Sequence, residues 1–236
     1  FFGRPFKIIS KHILHIDENL FSVFLMSFTG GYPIGAKNIT GIYDNGEISK
    51  SEAERMLSFC YIPSPAFVIG ISNTVLYSSA KAGIMIYLSI AVSTIIFAVI
   101  SGIPHKSSST KEKTEKIKLS SDIIVSSVET SAVSLFKICV MIVFSSVITV
   151  FLGVIIHRVD MNESVSVIIK SIIEITNITE LSSDLFKFLP IITALFSFGG
   201  VSVVLQIKSI IKNRFSLKRF FISRIIIAFL SGILSE

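Results

Sequence analysis

The chain alternates long uncharged stretches with short polar ones, and the interruptions inside the uncharged stretches carry as much information as the stretches themselves. Residues 6–16 mix apolar side chains with Lys7, Lys11, His12 and His15, the pattern of an amphipathic helix lying on a membrane surface. Leu20 to Ala36 is uncharged but is broken by Thr29-Gly30-Gly31-Tyr32-Pro33-Ile34-Gly35. A run of about 17 residues barely spans a bilayer. Glycines and a proline in its middle predict two half-helices meeting at a loop, a re-entrant hairpin. Irregular backbone at membrane depth is tolerated where it is buried in protein or lines a wet cavity.

Asp44 to Glu47 is a polar turn, and Ser49-Lys50-Ser51-Glu52 has the spacing of a capping box. The uncharged run from Met56 to Ala80 is broken by Pro63-Ser64-Pro65, which frees backbone carbonyls near the membrane interior. Gly83 to Ser101 is a clean span, followed by a serine- and lysine-rich loop, Gly102 to Ser120. Asp122 to Lys137 is amphipathic, Ile138 to Ile156 is a second clean span, and Val165 to Ile175 is a short amphipathic helix. Phe188 to Ile207 is uncharged and broken by Gly199-Gly200. A basic loop follows, with Lys208, Lys212, Arg214, Lys218 and Arg219, before a last apolar stretch, Phe220 to Leu234, that contains Arg224.

Sliding the chain so that Gly30-Gly31 falls on Gly199-Gly200 also places Lys50 on Arg219 and Arg55 on Arg224. Each unit then reads as a Gly-Gly-broken run, a polar loop and another apolar helix. This predicts an inverted repeat, the usual build of secondary transporters. The chain divides accordingly into a first repeat at 20–101, a connecting loop and span at 102–157, and a second repeat at 164–236, all one membrane domain. Opening on Phe1 rather than methionine, it is expected to be part of a longer protein.

Charge leaves the second broken segment open. A hairpin inverted relative to the first puts the basic loop 208–219 outside, against the positive-inside rule; a full crossing puts it inside.

Composition narrows the class. Of 236 residues, 51% are hydrophobic and 16% charged, and the mean hydropathy is +0.75. Soluble domains carry about 25% charged residues, so a soluble fold is excluded in favour of an all-α integral membrane protein. The net charge of +6 resides in short loops between apolar runs, which argues for topology signals rather than nucleic-acid binding. Cys60 and Cys139 sit inside apolar runs and are expected to be buried thiols without a redox role. The four histidines share no ligand spacing, and no catalytic triad, paired-carboxylate site or phosphate loop can be assembled. No enzyme activity, metal or cofactor is expected.

The residues that could meet a solute are the interrupted ones. Gly30, Gly31, Pro33 and Gly35, with Gly199 and Gly200, could bring backbone N–H groups and half-helix ends to an anion; close helix packing is the other reading. Lys37 could neutralise a carboxylate or snorkel to the interface. Tyr32 could stack on an aromatic ring or anchor at the interface. Glu174 is costly near a membrane and is a functional candidate by default, unless it pairs with Lys170 one turn back. Ser64, Thr176, Asn177 and Gln206 suit a polar ligand or helix–helix contacts. Glu129 and Arg224 have no evident partner and read as structural.

The stretch Thr29 to Lys37, then Ile48-Ser49-Lys50, Glu52-Ala53-Glu54-Arg55 and Leu57-Ser58-Phe59-Cys60, resembles the sporulation integral membrane protein YlbJ family, within the nucleoside-recognition (Gate) domain group. Glu174-Ile175-Thr176-Asn177 and Ser197-Phe198-Gly199-Gly200 with Gln206 resemble a second signature of that family. The chain departs from the family at Tyr61-Ile62-Pro63-Ser64 and at Ile178. The resemblance implies a polytopic helical bundle with two re-entrant hairpins around a central site, distantly similar to concentrative nucleoside transporters. It also implies a role in endospore formation, moving a dipicolinate-like anion at the outer forespore membrane. The expected partners are the lipid bilayer, a small anionic or nucleoside-like solute and, in an alternative reading, a protein recruited by a non-transporting scaffold through the loop at 102–120. Self-association and a sporulation membrane partner are both compatible with the pattern.

Overall fold

The computed structural model describes residues 10, 14–16, 18–73, 79–102, 121–181 and 188–236. Most of the surface helix expected at 6–16, and the lysine-rich loop after Gly102, lie outside the described residues. Every regular element among the described residues is helical: α1 (Glu18–Gly30), α2 (Tyr32–Asp44), α3 (Lys50–Leu57), α4 (Pro65–Ile71), α5 (Ala80–Gly102), α6 (Ser121–Arg158), α7 (Glu163–Ile173), a 3-10 segment (Ile175–Glu180), α8 (Leu189–Phe198), α9 (Gly200–Ile211) and α10 (Lys218–Leu234).

Local chemistry accounts for the boundaries. Gly31 separates α1 from α2 with a φ of 85°, a backbone state closed to most side chains, and Pro33 sits in the first turn of α2 where its missing N–H costs nothing. The Ser49 hydroxyl caps α3 by accepting from the Glu52 N–H at 3.2 Å. The reciprocal half of the expected capping box is not made, because the Glu52 carboxylate turns to Arg55 at 2.8 Å. The Ser64 hydroxyl accepts from the Phe67 N–H and opens α4, with Pro65 at its start. The amphipathic stretch and second span expected at 122–156 form one continuous helix, α6, of 38 residues.

Two places reverse the chain. Across Gly31, the Asn38 amide reaches the Met26 sulfur at 3.9 Å. A straight helix would hold those positions about 18 Å apart, so α2 folds back along α1. Across Glu174, Lys170 pairs with Glu180 at 2.9 Å, where a straight helix would separate them by about 15 Å. The 3-10 segment therefore folds back along α7. The pairing of Glu174 with Lys170, the alternative their spacing allowed, does not form, because this reversal carries Lys170 to Glu180 instead.

The break at Gly199 and Gly200, which the sequence left open between a hairpin and a continuous crossing, behaves differently from that at Gly31. Both glycines have positive φ, 82° and 84°, but α8 and α9 run on in series. The start of α8 lies beside the end of α10, where the Pro190 carbonyl abuts Gly232. The end of α9 leads to Arg214, which pairs with Asp44 at the end of α2 at 2.6 Å. α8 packs on α10 and α5, and α9 on α2, α6 and α7. Different neighbours at the two ends, rather than the glycines, set the path. The superposition of Gly30-Gly31 on Gly199-Gly200 thus relates α2 and α9, side-by-side helices running in the same direction, and not two inverted hairpins.

One face of the molecule gathers the ends of α2 and α9 and the starts of α3 and α10. Tyr43 meets Phe215 at 4.9 Å between ring centroids, and the Ser216 N–H donates to Glu54 at 2.8 Å. The end of α5 arrives there too, since Gly102 abuts Leu14 and His15, whose carbonyls accept from Arg55. From this face α3–α4 leads away, α5 returns, α6 leads away, α8–α9 returns and α10 leads away. The basic residues of 208–219 lie here.

Two apolar cores flank the middle. One contains Phe24, Ile39, Met56, Phe59, Tyr61, Ile207 and Phe220; the other contains Ile62, Val68, Ile86, Ile178, Ile192 and Phe196, and Phe28 and Phe67 pack against both. Three helical runs, Ala80–Gly102, Val125–Arg158 and Leu189–Ile211, are long and apolar enough to cross a membrane. Exposed Phe136, Phe144 and Phe151 on α6 and Phe229 on α10 leave much apolar surface uncovered by protein, as a membrane-associated protein does. Cys60 is buried as expected; Cys139 is exposed on α6.

Candidate functional site

The site forms where the two reversals meet the two broken helices. Gly31, at the first reversal, lies against Ser64: a Cβ built there would stand 3.3 Å from the Ser64 Cβ. Gly35 presses on the Cys60 carbonyl so closely that any side chain would collide with backbone. The α1–α2 tip is thereby seated on the irregular stretch between α3 and α4. The second reversal is seated in the same way on the α8–α9 break, since a Cβ on Gly200 would lie 3.1 Å from the Ile173 carbonyl and 3.3 Å from the Ile175 nitrogen.

Tyrosines join the halves. Tyr32, in the first turn of α2, donates its hydroxyl to the Phe196 carbonyl at 2.5 Å, and Tyr61 donates to the Phe198 carbonyl at 3.4 Å. Both acceptors belong to the last turn of α8, whose carbonyls lose helical partners at the break. The two rings lie 4.8 Å apart between centroids, and Gly199 sits against both, with room for no Cβ.

Arg224, from α10, completes the first break. Its guanidinium donates to the Ser58 carbonyl at 2.6 Å and the Tyr61 carbonyl at 2.7 Å, and it lies 4.5 Å from the centre of the Tyr61 ring. It is 1% exposed, and its Nε has no partner. Arg55, also buried, plays a comparable part at the basic face, donating to the Leu14 and His15 carbonyls while paired with Glu52. Among the described residues Arg224 has no such carboxylate. Read as structural from the sequence, it ties two backbone carbonyls of the first break to α10. An ionisable residue inside an apolar run is the signal that marks it in sequence.

Glu174 ends α7 and is 1% exposed. One carboxylate oxygen accepts from the Thr176 N–H and hydroxyl at 3.3 and 3.2 Å; the other is buried without a partner. The hydroxyls of Ser171, Ser197 and Ser202 are likewise buried without partners.

Of the residues predicted from sequence, Gly31, Tyr32, Ser64, Glu174, Thr176, Gly199 and Gly200 come together here. Gly30 and Gly35 serve close packing, against Ile34 and Cys60. Pro33 begins α2, and Lys37 is half-buried farther along it. Gln206 is buried on α9, beyond the break. Asn177 donates to the Glu174 carbonyl at 2.8 Å and also lines a cavity of about 480 Å³ with Thr149, Gly153, His157, Arg158 and Lys170. That cavity opens beside the second reversal. Tyr61, Arg224 and the three serines were not among the site residues expected from the sequence.

Comparison with protein families, with curated proteins and with solved structures finds no match to this chain.

Proposed function

We propose that the protein is a membrane transporter, or the permease component of one, that moves a small anionic solute through the centre where the breaks meet. The observation that carries this reading is Arg224, a buried guanidinium without a carboxylate partner, set among interrupted backbone. Interrupted helices at mid-membrane are how secondary transporters expose backbone groups to a solute.

The order of elements supports it. A reversal, a broken helix and a closing span occur as α1–α2, α3–α4 and α5, and again as α7 with the 3-10 segment, α8–α9 and α10. The two sets run in opposite directions, so the reversals enter as re-entrant hairpins from opposite faces. In this reading α8–α9 crosses fully, and the face carrying 208–219 is cytoplasmic by the positive-inside rule. Tyr32 and Tyr61, closed over Gly199, form the gate and offer aromatic faces to a planar solute. The resemblance to the sporulation family suggests a dipicolinate-like anion and the outer forespore membrane.

Uptake of labelled dipicolinate into proteoliposomes holding the full-length protein tests the reading, with uridine as comparison. Saturable dipicolinate uptake, lost in a Gly31→Val variant that still inserts, supports it. Uptake of uridine alone replaces the solute class, and no uptake by folded, inserted protein overturns the transporter.

A further inference from the structure

We infer that the groove between α6 and α9 binds an anionic phospholipid, its phosphate at Lys208 and an acyl chain against Val140, Met141, Phe144 and Leu205. The inference goes beyond the transporter reading and does not rest on it, since it needs only that the chain resides in a membrane.

The groove encloses about 460 Å³ and is lined by Val140, Met141 and Phe144 from α6 and by Leu205, Lys208 and Ser209 from α9. That is the size of a ligand pocket rather than of a packing defect. Its two ends differ. α9 runs toward the basic face, so Lys208 and Ser209 stand nearer that face than Leu205 does. α6 runs the other way: its later residues Gly153 and His157 border the cavity beside the second reversal, and Gly200, at the start of α9, abuts that same reversal. Phe144 therefore lies deeper than Val140. Lys137 precedes Val140 and Met141 by three and four residues, on the same stripe of α6, which places a second lysine at the shallow end. The groove is thus cationic toward the basic face and apolar toward the membrane interior.

The acids that could neutralise this end are engaged or distant. Asp44 pairs with Arg214, Glu52 with Arg55, and Glu54 accepts from the Ser216 N–H. On α6 the nearest acid is Glu129, eight residues before Lys137 and so about 12 Å along the axis. Among the described residues Lys137 and Lys208 are exposed, and neither forms an ion pair. The Ser209 hydroxyl donates to the Gln206 carbonyl at 2.7 Å, which leaves the Lys208 ammonium as the donor that the groove offers to an anion.

Unneutralised ammonium groups above an apolar slot match a phosphate carried on an acyl chain. A free anion would meet the lysines and leave the slot unfilled, without dispersion contacts for its walls. A zwitterionic headgroup would set its own cation against them. Phe144 lines the groove and is exposed, and α6 packs mainly on α7 and α9, so the groove is open to lipid from the side.

The chain contains no tryptophan, which makes an introduced indole a clean reporter. Full-length protein carrying Phe144→Trp or Val140→Trp is reconstituted into phosphatidylcholine vesicles with a fixed fraction of phosphatidylglycerol, and one lipid or the other carries dibrominated acyl chains that quench the indole. Phe229→Trp, on the exposed face of α10, is the reference. Comparing the two brominated lipids at each position cancels depth and yields the preference for the anionic headgroup. It should be about fivefold at positions 140 and 144, the value of one lysine near an anionic lipid, and near one at position 229. Lys208→Gln should lower the groove preference several-fold and leave position 229 unchanged. Equal quenching by both lipids in the groove, an equal preference at position 229, or a full preference retained when Lys137→Gln and Lys208→Gln are combined overturns the inference. So does an absence of quenching by either lipid, the result expected if a second copy or another protein segment fills the groove, and so does a preference abolished by inorganic phosphate. Uptake plays no part in this readout, so the lipid site and the transporter reading stand or fall separately.

Discussion

The hydroxyl of Tyr32 donates to the carbonyl of Phe196 at 2.5 Å, tying the first turn after one chain break to the last turn before another. The carbonyl has lost the helical donor it would have had if α8 continued through Gly199 and Gly200. Tyr32→Phe should therefore leave a buried acceptor unpaired at nearly unchanged volume, and destabilise the protein by about 1–3 kcal/mol. Denaturation in detergent reads the loss. Tyr61→Phe, which gives up a longer bond of 3.4 Å, should cost less.

Glycines test the backbone. Gly199 has a φ of 82°, and a Cβ on it would collide with the Tyr61 hydroxyl oxygen. Gly199→Ala should lower stability by about 1–3 kcal/mol from backbone strain alone, with the collision added. Gly41 lies in the interior of α2 with open space beside it. Gly41→Ala should stabilise by up to about 1 kcal/mol through helix propensity. Melting curves of the two variants, measured together, separate strained glycines from incidental ones.

Two arginines make a second contrast. Arg224→Met removes donors from two buried carbonyls, those of Ser58 and Tyr61, and should cost about 2–5 kcal/mol. Arg224→Lys keeps the charge but not the fork, so it should fall between that variant and the parent. Arg214→Met breaks only the partly exposed pair with Asp44 and should change stability by less than about 1 kcal/mol. Equal losses for Arg214 and Arg224 would contradict the placement of Arg224 at the centre.

The sequence made the interruptions visible and left their angles open. Gly30, Gly31 and Pro33 announced a break, and so did Pro63-Ser64-Pro65, because glycine and proline act locally on the backbone. Whether a break turns the chain back or lets it continue depends on what each half packs against. At Gly31, α2 returns along α1; at Gly199-Gly200, α10 and α5 hold one half while α2, α6 and α7 hold the other. The reversal at Glu174 contains neither glycine nor proline, so its turn was invisible, although the buried carboxylate was a clear candidate. The partners of Arg224 were not legible because its acceptors lie far away in sequence, at Ser58 and Tyr61, and no periodicity links them. The alternative pairing of Glu174 with Lys170 rested on helical spacing that the reversal removes.

The path of α8–α9 from one face to the other is the central claim, since it decides which elements are hairpins and which are crossings. Single cysteines introduced as Gly46→Cys, Asn213→Cys and Met161→Cys, in a background with Cys139→Ser, can be labelled with a membrane-impermeant maleimide in sealed vesicles of known orientation. All three positions are exposed. The cysteines at positions 46 and 213 should react from the same side and the one at position 161 from the opposite side. Labelling of positions 161 and 213 from one side would instead make Gly199-Gly200 the tip of a hairpin and contradict the account.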